Sequence, residues 1–565
     1  MAELLVVFFP TFMLFTTSSS FGTNWENHVW HIAYFAEYLR NHGAFPTVVS
    51  TIEQLHLPVP LFYGYLFHPL LGLLAVPLGA SLALKLAVVA VLWAQFRVVR
   101  GALVRAWLEP RTAGVVACLV TWAVYPLNSL YTWHLITEFF AAAFLTCALA
   151  YWFELLLCPD DERLRKSTAL GLCWCLMAGT HPITGAYGSL ALLTTMAASV
   201  VLTRRYRALP WVVPQLALTA LCLSAWLFAL RSFRPFLAIV TETTREVSYY
   251  PDVDSLLGRL VPYARAPKDL LAPKIAPYIT ATANVALLLF AAALASAAWR
   301  RTHNTPGARR RVLIVALSGA AVFATLFHAS LSPWLFGILP PQLRVIQFAA
   351  RLVTYQNLAL LCVVFGLSLC ARGLAAPRWA AIACLVVAAS FAAVKLDHAW
   401  LVRQRGVPPP IDRELPHLPR WYLGLSDYAT PSLFPKLARA PGVKERQVHI
   451  PIGLGANFGL ALPLQLELEE TSLLLTNVLA FPWSTLVLDG EPVAQRTPPD
   501  TDQPRLARYS FAVLVPRGHH QLEARFEPDR RWLFLRNAGF AVLLAWVLSA
   551  AILRGLATPA RPKEP

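Results

Sequence analysis

The sequence predicts a mainly α, polytopic helical membrane protein with a small extracytoplasmic antiparallel β-sandwich near its C-terminus. Three observations point there. Hydrophobic residues are 57% of the 565 and charged residues 14%, against roughly 45–50% and 25% in soluble domains. Mean hydropathy is +0.53 over the whole chain, and apolar runs of spanning length recur along it. The net charge of +17 is concentrated in short gaps between those runs, as the positive-inside rule expects of cytoplasmic loops. The charge is therefore topological. No basic–aromatic stripe remains outside those gaps, so no nucleic-acid partner is expected.

Taken in order, Glu3 to Ser19 is apolar, without a basic leader or a small-residue cleavage site, and reads as a first span. Basic clusters at Arg97 to Arg111, Arg163 to Lys166, Arg204 to Arg207, Arg300 to Arg311 and Arg372 to Arg378 set the inner side. The stretch from Arg111 to Asp160 carries such charge at both ends and so crosses an even number of times. Its outward break runs from Tyr125-Pro126-Leu127-Asn128 through His134 to Glu138. Ser167 to Thr203 would measure roughly 55 Å as one helix, against a hydrocarbon core of about 30 Å. It reads as a hairpin with His181 at the outer turn. Single spans near 79–97, 209–230, 279–299, 312–330, 352–370, 378–396 and 533–554 bring the total to about twelve transmembrane helices.

Residues 1–396 thus form the transmembrane domain, with a large first outer loop at 20–78. Within that loop Val29, Ile32, Ala33, Ala36 and Leu39 recur at helical spacing, as in a helix lying on the membrane surface. Trp25, Trp30 and Tyr34 read as an interfacial aromatic belt, and Lys85 as a snorkelling lysine. A second outward segment, 232–278, is acidic and rich in proline. Residues 397–442 are a Pro-rich linker. At 443–531 the period changes to two: Leu464, Leu466 and Leu468 alternate with Gln465, Glu467 and Glu469. Further strands are read at 473–479, 483–488, 509–515 and 521–526, with Asp489-Gly490 and Arg517-Gly518 as turns. A final helix at 532–555 and a cytoplasmic tail at 556–565 complete the chain.

All nine cysteines fall in or beside the spans, so disulfides are not expected in the outward segments. Cys173 and Cys175 point to different faces of one helix. There is no Walker or dinucleotide glycine motif and no repeat of fixed period, which disfavours a nucleotide-driven pump. The polar residues that remain converge on the outer side. They are Asn24, Glu26, His28 and His31 in the first loop, His134 and Glu138 at one outer turn, His181 at the other, and Arg344, Gln347 and Arg351 on one face of a later helix. Ionisable groups at membrane depth are costly and invite a functional reading. A carboxylate could take a proton from an acceptor hydroxyl while arginine holds a phosphate leaving group. Blander readings stand beside this one. Glu26 as a solvated acid, Glu138 paired with Arg351, and His181 before proline as a plain turn all fit the same residues. His28, His31 and Glu26 have a weak metal-ligand spacing, so no resident metal or cofactor is expected, with a divalent cation the one candidate.

Gly22-Thr23-Asn24-Trp25-Glu26-Asn27-His28, Pro46 and Phe62-Tyr63-Gly64-Tyr65-Leu66-Phe67-His68-Pro69 together resemble the first outer loop of bacterial membrane proteins with the 6-pyruvoyl-tetrahydropterin-synthase-related domain. Glu138, Thr180-His181-Pro182 and Ile346-Gln347-Phe348-Ala349-Ala350-Arg351-Leu352 fit that pattern, with alanines where the family has proline and tryptophan. Phe481-Pro482-Trp483, Asp489-Gly490-Glu491 and Pro516-Arg517-Gly518-His519-His520 are similar to the tail of YfhO-like proteins. The resemblance implies a GT-C fold and transfer of a sugar from a polyprenyl-phosphate donor to an extracytoplasmic glycan, lipid or protein acceptor, in the bacterial inner membrane. It implies no pterin chemistry. Where the family has an aspartate four residues before the histidine, this chain has Asn24, which makes Glu26 the catalytic base candidate. Arg351, Arg344 and Gln347 would bind the donor phosphate, with Asn24, His28, Glu138 and His181 in support. The alternative is a non-catalytic lipid-glycan transporter or a scaffold in envelope polysaccharide assembly. A transporter favours repeat halves and a polar site at mid-membrane, and the sequence has neither.

Overall fold

The computed structural model describes residues 2–16, 23–131, 135–233, 284–331, 349–403, 415, 443–493 and 510–555. The chain is mainly helical, with a small β-region near the C-terminus. The helices are α1 (Ala2–Thr11), α2 (Thr23–His42), α3 (Val59–Phe62), α4 (Phe67–Leu78), α5 (Ala80–Arg105), α6 (Pro110–Thr121), α7 (Val124–Tyr131), α8 (Ile136–Leu157), α9 (Arg163–Thr180), α10 (Pro182–Thr203), α11 (Val212–Cys222), α12 (Ser224–Phe233), α13 (Val285–Arg301), α14 (Pro306–Leu331), α15 (Val353–Cys370), α16 (Arg378–Arg403) and α17 (Arg530–Gly555).

Among the described residues, six helices are long and apolar enough to cross a membrane: α5, α8, α10, α14, α15 and α17. The pair α11–α12 adds a seventh if it is counted as one span bent by 51°. Twelve was the expectation, and several of the remaining expected spans are shorter apolar helices among the described residues, Glu3–Phe15, Pro110–Thr121 and Arg378–Ala393. The run at 111–131 is broken into α6 and α7, and α6 at 12 residues rises only about 18 Å, well short of a hydrocarbon core. The hairpin reading at Ser167–Thr203 matches the structure. α9 and α10 break at His181, and Trp174 Nε1 donates to Ser189 Oγ across the pair at 2.8 Å. Gly185 permits the close approach, since a Cβ there would sit 2.9 Å from Ala178 Cα.

Helix α2 is buried on most of its circumference, so it does not lie on a surface. Trp25 and Tyr34 are 0% exposed. Trp25, Val29, Ile32 and Ala36 pack into an apolar core with α4, α5 and α8. Trp30 and Tyr34 pack into a second core shared with the β-region. The expected aromatic belt is therefore interior packing. Lys85, read as snorkelling, is likewise buried, at 4% exposure. Period-3.6 patterning reports that a face is covered without saying whether lipid or protein covers it.

The β-region holds two sheets. One is β1 (Lys444–Val448), β3 (Ser472–Leu479) and β6 (Ser510–Val515) in the order β1-β3-β6, and the other is β2 (Leu464–Leu468), β7 (Gly518–Phe526), β4 (Ser484–Leu488) and β5 (Glu491–Pro492) in the order β2-β7-β4-β5. The second sheet is wholly antiparallel. In the first, β1 runs parallel to β3, a pairing that local sequence does not reveal. Asp489 and Gly490, with φ of 51° and 88°, close the β4–β5 hairpin as expected of a primed turn. Pro516-Arg517 instead carries the chain from one sheet to the other. The two sheets and the segment 49–66 share one core. Leu55 N donates to Asn477 O at 2.8 Å, Leu479 N donates to Leu55 O at 3.1 Å, and the buried Asn477 side chain donates to Ile52 O and accepts from Ile450 N.

Candidate functional site

Four separate parts of the chain meet at one end of the long helices. Glu138 stands in the first turn of α8. Arg351 arrives on a 3-10 turn, Ala349–Leu352, that leads into α15. Its Nε lies 2.8 Å from Glu138 Oε2, and the two side chains are only 8% and 4% exposed. The pairing that the blander sequence reading gave these two residues is what the structure shows. Two charges removed from water cost several kcal/mol each, about what a well-formed contact returns. A buried pair of this kind is therefore no free gain in stability.

His181 sits beside this pair. It caps α10, with Pro182 at the first helical position, as helix starts prefer. Thr184 N donates to His181 Nδ1 at 3.2 Å, so the neutral ring carries its proton on Nε2. Burial, the Arg351 charge and His28 hold His181 well below the usual histidine range. Tyr63, in the outer loop, ties the neighbourhood together. Its hydroxyl is 2.6 Å from Thr137 Oγ1, one residue before Glu138. Its ring lies 5.9 Å from His28 and 6.4 Å from His181. Tyr187 and Tyr355, with rings 6.3 Å apart, lie on the α10 and α15 side.

A histidine cluster extends the site. His68 Nδ1 donates to Tyr63 O at 3.2 Å, which leaves His68 Nε2 as acceptor for His28 Nδ1 at 3.4 Å. His31 stacks beyond them, 5.0 Å from His68 between ring centres. Burial pulls His68 down to about 4 and holds His31 well below its ordinary value, with His68 and His28 adding to the effect. His68 and His31 are therefore neutral at pH 7. Gly64 makes the turn possible: its φ is +61°, and a Cβ would press to 2.7 Å from the His68 ring. Among the described residues no group of three His, Cys, Asp or Glu is arranged to hold a metal ion.

The structure thus brings Glu138, Arg351, His181 and His28 into one neighbourhood. Glu26 is placed differently. It belongs to the first turn of α2 rather than to a loop. At about 100° per residue, His28, His31 and Phe35 fall on one side of that helix. Glu26, Ala33, Glu37 and Arg40 fall on the opposite side, and these are the partly exposed or exposed positions. Asn24 belongs to the same first turn. His134, Arg344 and Gln347 lie outside the described residues, as do nearly all of 397–442 and the segment 234–283. Sequence reasoning missed Tyr63, Thr137 and His68 as site members. The Tyr63-Gly64 pair five residues before a histidine was the one available signal. Comparison of the chain with protein-family models, with curated proteins and with solved structures gave no match.

Proposed function

We propose that the chain is an integral membrane glycosyltransferase of the bacterial inner membrane, with its long loops and β-region outside the cytoplasm. It moves a sugar from a polyprenyl-phosphate donor to an extracytoplasmic glycan, lipid or protein acceptor. The observation that supports this most is the Arg351–Glu138 pair, buried beside His181 at one end of apolar helices. Arginine is the side chain suited to a phosphate as charge builds on it during departure of the sugar. Glu138 keeps its guanidinium oriented. Arg344 and Gln347, close in sequence, would add to the phosphate contacts. Glu26 takes the proton of the acceptor hydroxyl, from the open side of α2. Asn24, His28 and His181 hold neighbouring groups in place.

The test is transfer from a labelled polyprenyl-phosphate sugar by the purified chain in nanodiscs. Loss of a general base costs about 10²–10⁴ in rate, so Glu26→Gln should fall by that order while still binding donor. Arg351→Gln should weaken donor binding and turnover together. Glu26→Gln at the wild-type rate, with Glu138→Gln reduced instead, would move the base to Glu138. A second reading, the scaffold, is favoured by the tie of the outer loop to the β-region through Leu55 and Asn477. It predicts no transfer from any lipid-linked sugar, with Asn24→Asp equally silent.

A further inference from the structure

Helix α17 leaves the β-region with Arg530, Arg531 and Arg536 near its start. Arg536 is half-buried. Its guanidinium stacks 4.9 Å from the centre of the Trp532 ring, which is itself 1% exposed. Its Nε donates to Asn537 Oδ1 at 3.4 Å, whereas Nη1 is buried and meets no acceptor among the described residues. Tyr65 reaches the same place from the segment before α4. It is 3% exposed, and its hydroxyl is likewise buried without a hydrogen-bond partner. Burial raises that hydroxyl above the ordinary tyrosine range, and the Arg536 charge beside it opposes the rise. Tyr38 of α2, half-buried, responds to the same two influences. The Tyr65 and Phe540 rings stack at 5.9 Å, and the Phe45 ring lies 5.7 Å from Phe540.

Buried donors without acceptors are rare in folded proteins. A guanidinium N–H and a phenolic O–H side by side call for the same kind of partner, an oxygen-rich anion. Phosphate suits both, since it offers several acceptor oxygens to a guanidinium fork and a hydroxyl together. Depth points to its source. Arg536 and Arg554 enclose a run of α17 without a charged side chain, and their spacing is a rise of about 27 Å, close to the thickness of a hydrocarbon core. In a bilayer each therefore stands at headgroup level. Between them, Val547 returns to the face of Arg536 after three turns, with Leu544 beside it, and these are 47% and 60% exposed. The rotation of α17 is set at Gly539, where a Cβ would lie 2.8 Å from Cys222 O of α11.

We propose that Arg536 and Tyr65 bind the phosphate of a lipid headgroup, with the acyl chains laid along Leu544 and Val547. The binding requires the chain to be in a bilayer but does not rest on sugar transfer. The site adjoins the Glu138 cluster through the backbone. Tyr63 and Tyr65 flank Gly64, and Tyr63 reaches Thr137 at 2.6 Å while Tyr65 reaches Phe540. A lipid held by Tyr65 thus braces the turn that places Tyr63.

The experiment is lipid retention by the full chain, measured by native mass spectrometry after exchange into defined nanodiscs. The probes are phosphatidylglycerol and diacylglycerol, with inorganic phosphate as competitor. Wild type should retain phosphatidylglycerol in preference to diacylglycerol. Charge-assisted contacts to phosphate are worth enough that Arg536→Gln should weaken this by about tenfold or more. Tyr65→Phe, which keeps the ring on Phe540, should weaken it several-fold. Arg530→Gln, at an exposed position, should leave it nearly unchanged, which separates a seated phosphate from general attraction to positive charge. In lipid-free detergent Tyr65→Phe should hold or raise the unfolding midpoint, because removing a hydroxyl that has no partner strands nothing. Phosphatidylglycerol displaced by excess inorganic phosphate assigns the site to a free phosphate, and lipid that resists displacement assigns it to a headgroup. Both support the phosphate chemistry. Equal retention of diacylglycerol, or a loss in Arg530→Gln equal to that in Arg536→Gln, overturns it. If Arg536→Gln does not fold, Tyr65→Phe decides alone: retention as in wild type, with or without a fall in the midpoint, would overturn the proposal.

Discussion

Helix α8 carries a buried carboxylate at each end, and the two differ in everything but burial. Glu138, in its first turn, meets Arg351 from a distant 3-10 turn. Glu154, in its last turn about 24 Å away, meets Lys166 from the start of the next helix. The Glu154 pair closes a hairpin between neighbouring elements. Around it stand more ion pairs, Arg105–Glu162 from the end of α5 at 2.8 Å and Arg165–Glu162 within one turn at 3.2 Å. Around Glu138 stand His181, Tyr63 through Thr137, and beyond them three buried histidines. A buried ion pair by itself marks structure as readily as function. The company it keeps separates the two cases. One end is a staple among partly buried ion pairs, and the other gathers a buried ion pair with tyrosine and histidine side chains.

The largest expected effect follows from stranding a charge. Glu138→Ala takes one carboxylate from the buried Arg351 and should destabilise the protein by about 3–5 kcal/mol, read as a fall in the detergent unfolding midpoint. Glu154→Ala should cost less, because the long Lys166 side chain can swing toward solvent and the exposed Asp160 and Asp161. Equal losses would erase the contrast between the two ends.

Acid sharpens the contrast next. His68 is held at about 4 and His56 at about 3 by burial, both below the unfolded value near 6.5. Between those values the unfolded chain binds more protons, so stability is complete above about pH 6.5 and falls as pH drops toward 4. His68 alone accounts for roughly 3 kcal/mol of that loss. Hydrogen exchange should show the outer loop and histidine cluster opening first, while the Glu154 end keeps its protection. Uniform loss at both ends would contradict the assignment.

A smaller effect is expected at Gly64. Gly64→Ala meets both a left-handed backbone and the His68 ring, for a cost of about 1–3 kcal/mol. Gly114, where an added Cβ meets nothing within 4 Å, is the control, and Gly114→Ala should be neutral or slightly stabilising.

Much of this was legible in the sequence, and the limits have physical reasons. The hairpin at His181 follows from length against bilayer thickness, and α2 from its apolar spacing. Strands β2, β4 and β7 follow from alternation or turn residues. Trp25, Trp30, Tyr34 and Lys85 were misplaced because an apolar or amphipathic face looks the same whether lipid or protein covers it. β1 reads as four exposed polar residues and a valine, and only its long-range partner β3 makes it a strand. The Tyr63–Thr137 contact joins residues 74 apart, and no local pattern announces it. Glu138, Arg351 and His181 stand out in the sequence because ionisable groups are costly beside long apolar runs. The orientation of Glu26 away from them needed the helix register.

The central claim is that the Glu138 end of α8 is a working site and the Glu154 end a staple. Replacing each pair with apolar residues tests it most directly, since double substitution avoids stranding a charge. The measurement is sugar transfer from a polyprenyl-phosphate donor by Glu138→Leu/Arg351→Met and by Glu154→Leu/Lys166→Met, each first shown to be folded. The account predicts that the Glu138/Arg351 double variant loses transfer by two orders of magnitude or more, about what loss of oriented charge stabilisation costs, while the Glu154/Lys166 one keeps it within a few-fold. Transfer unchanged in the Glu138/Arg351 variant, or lost equally in both, would contradict it.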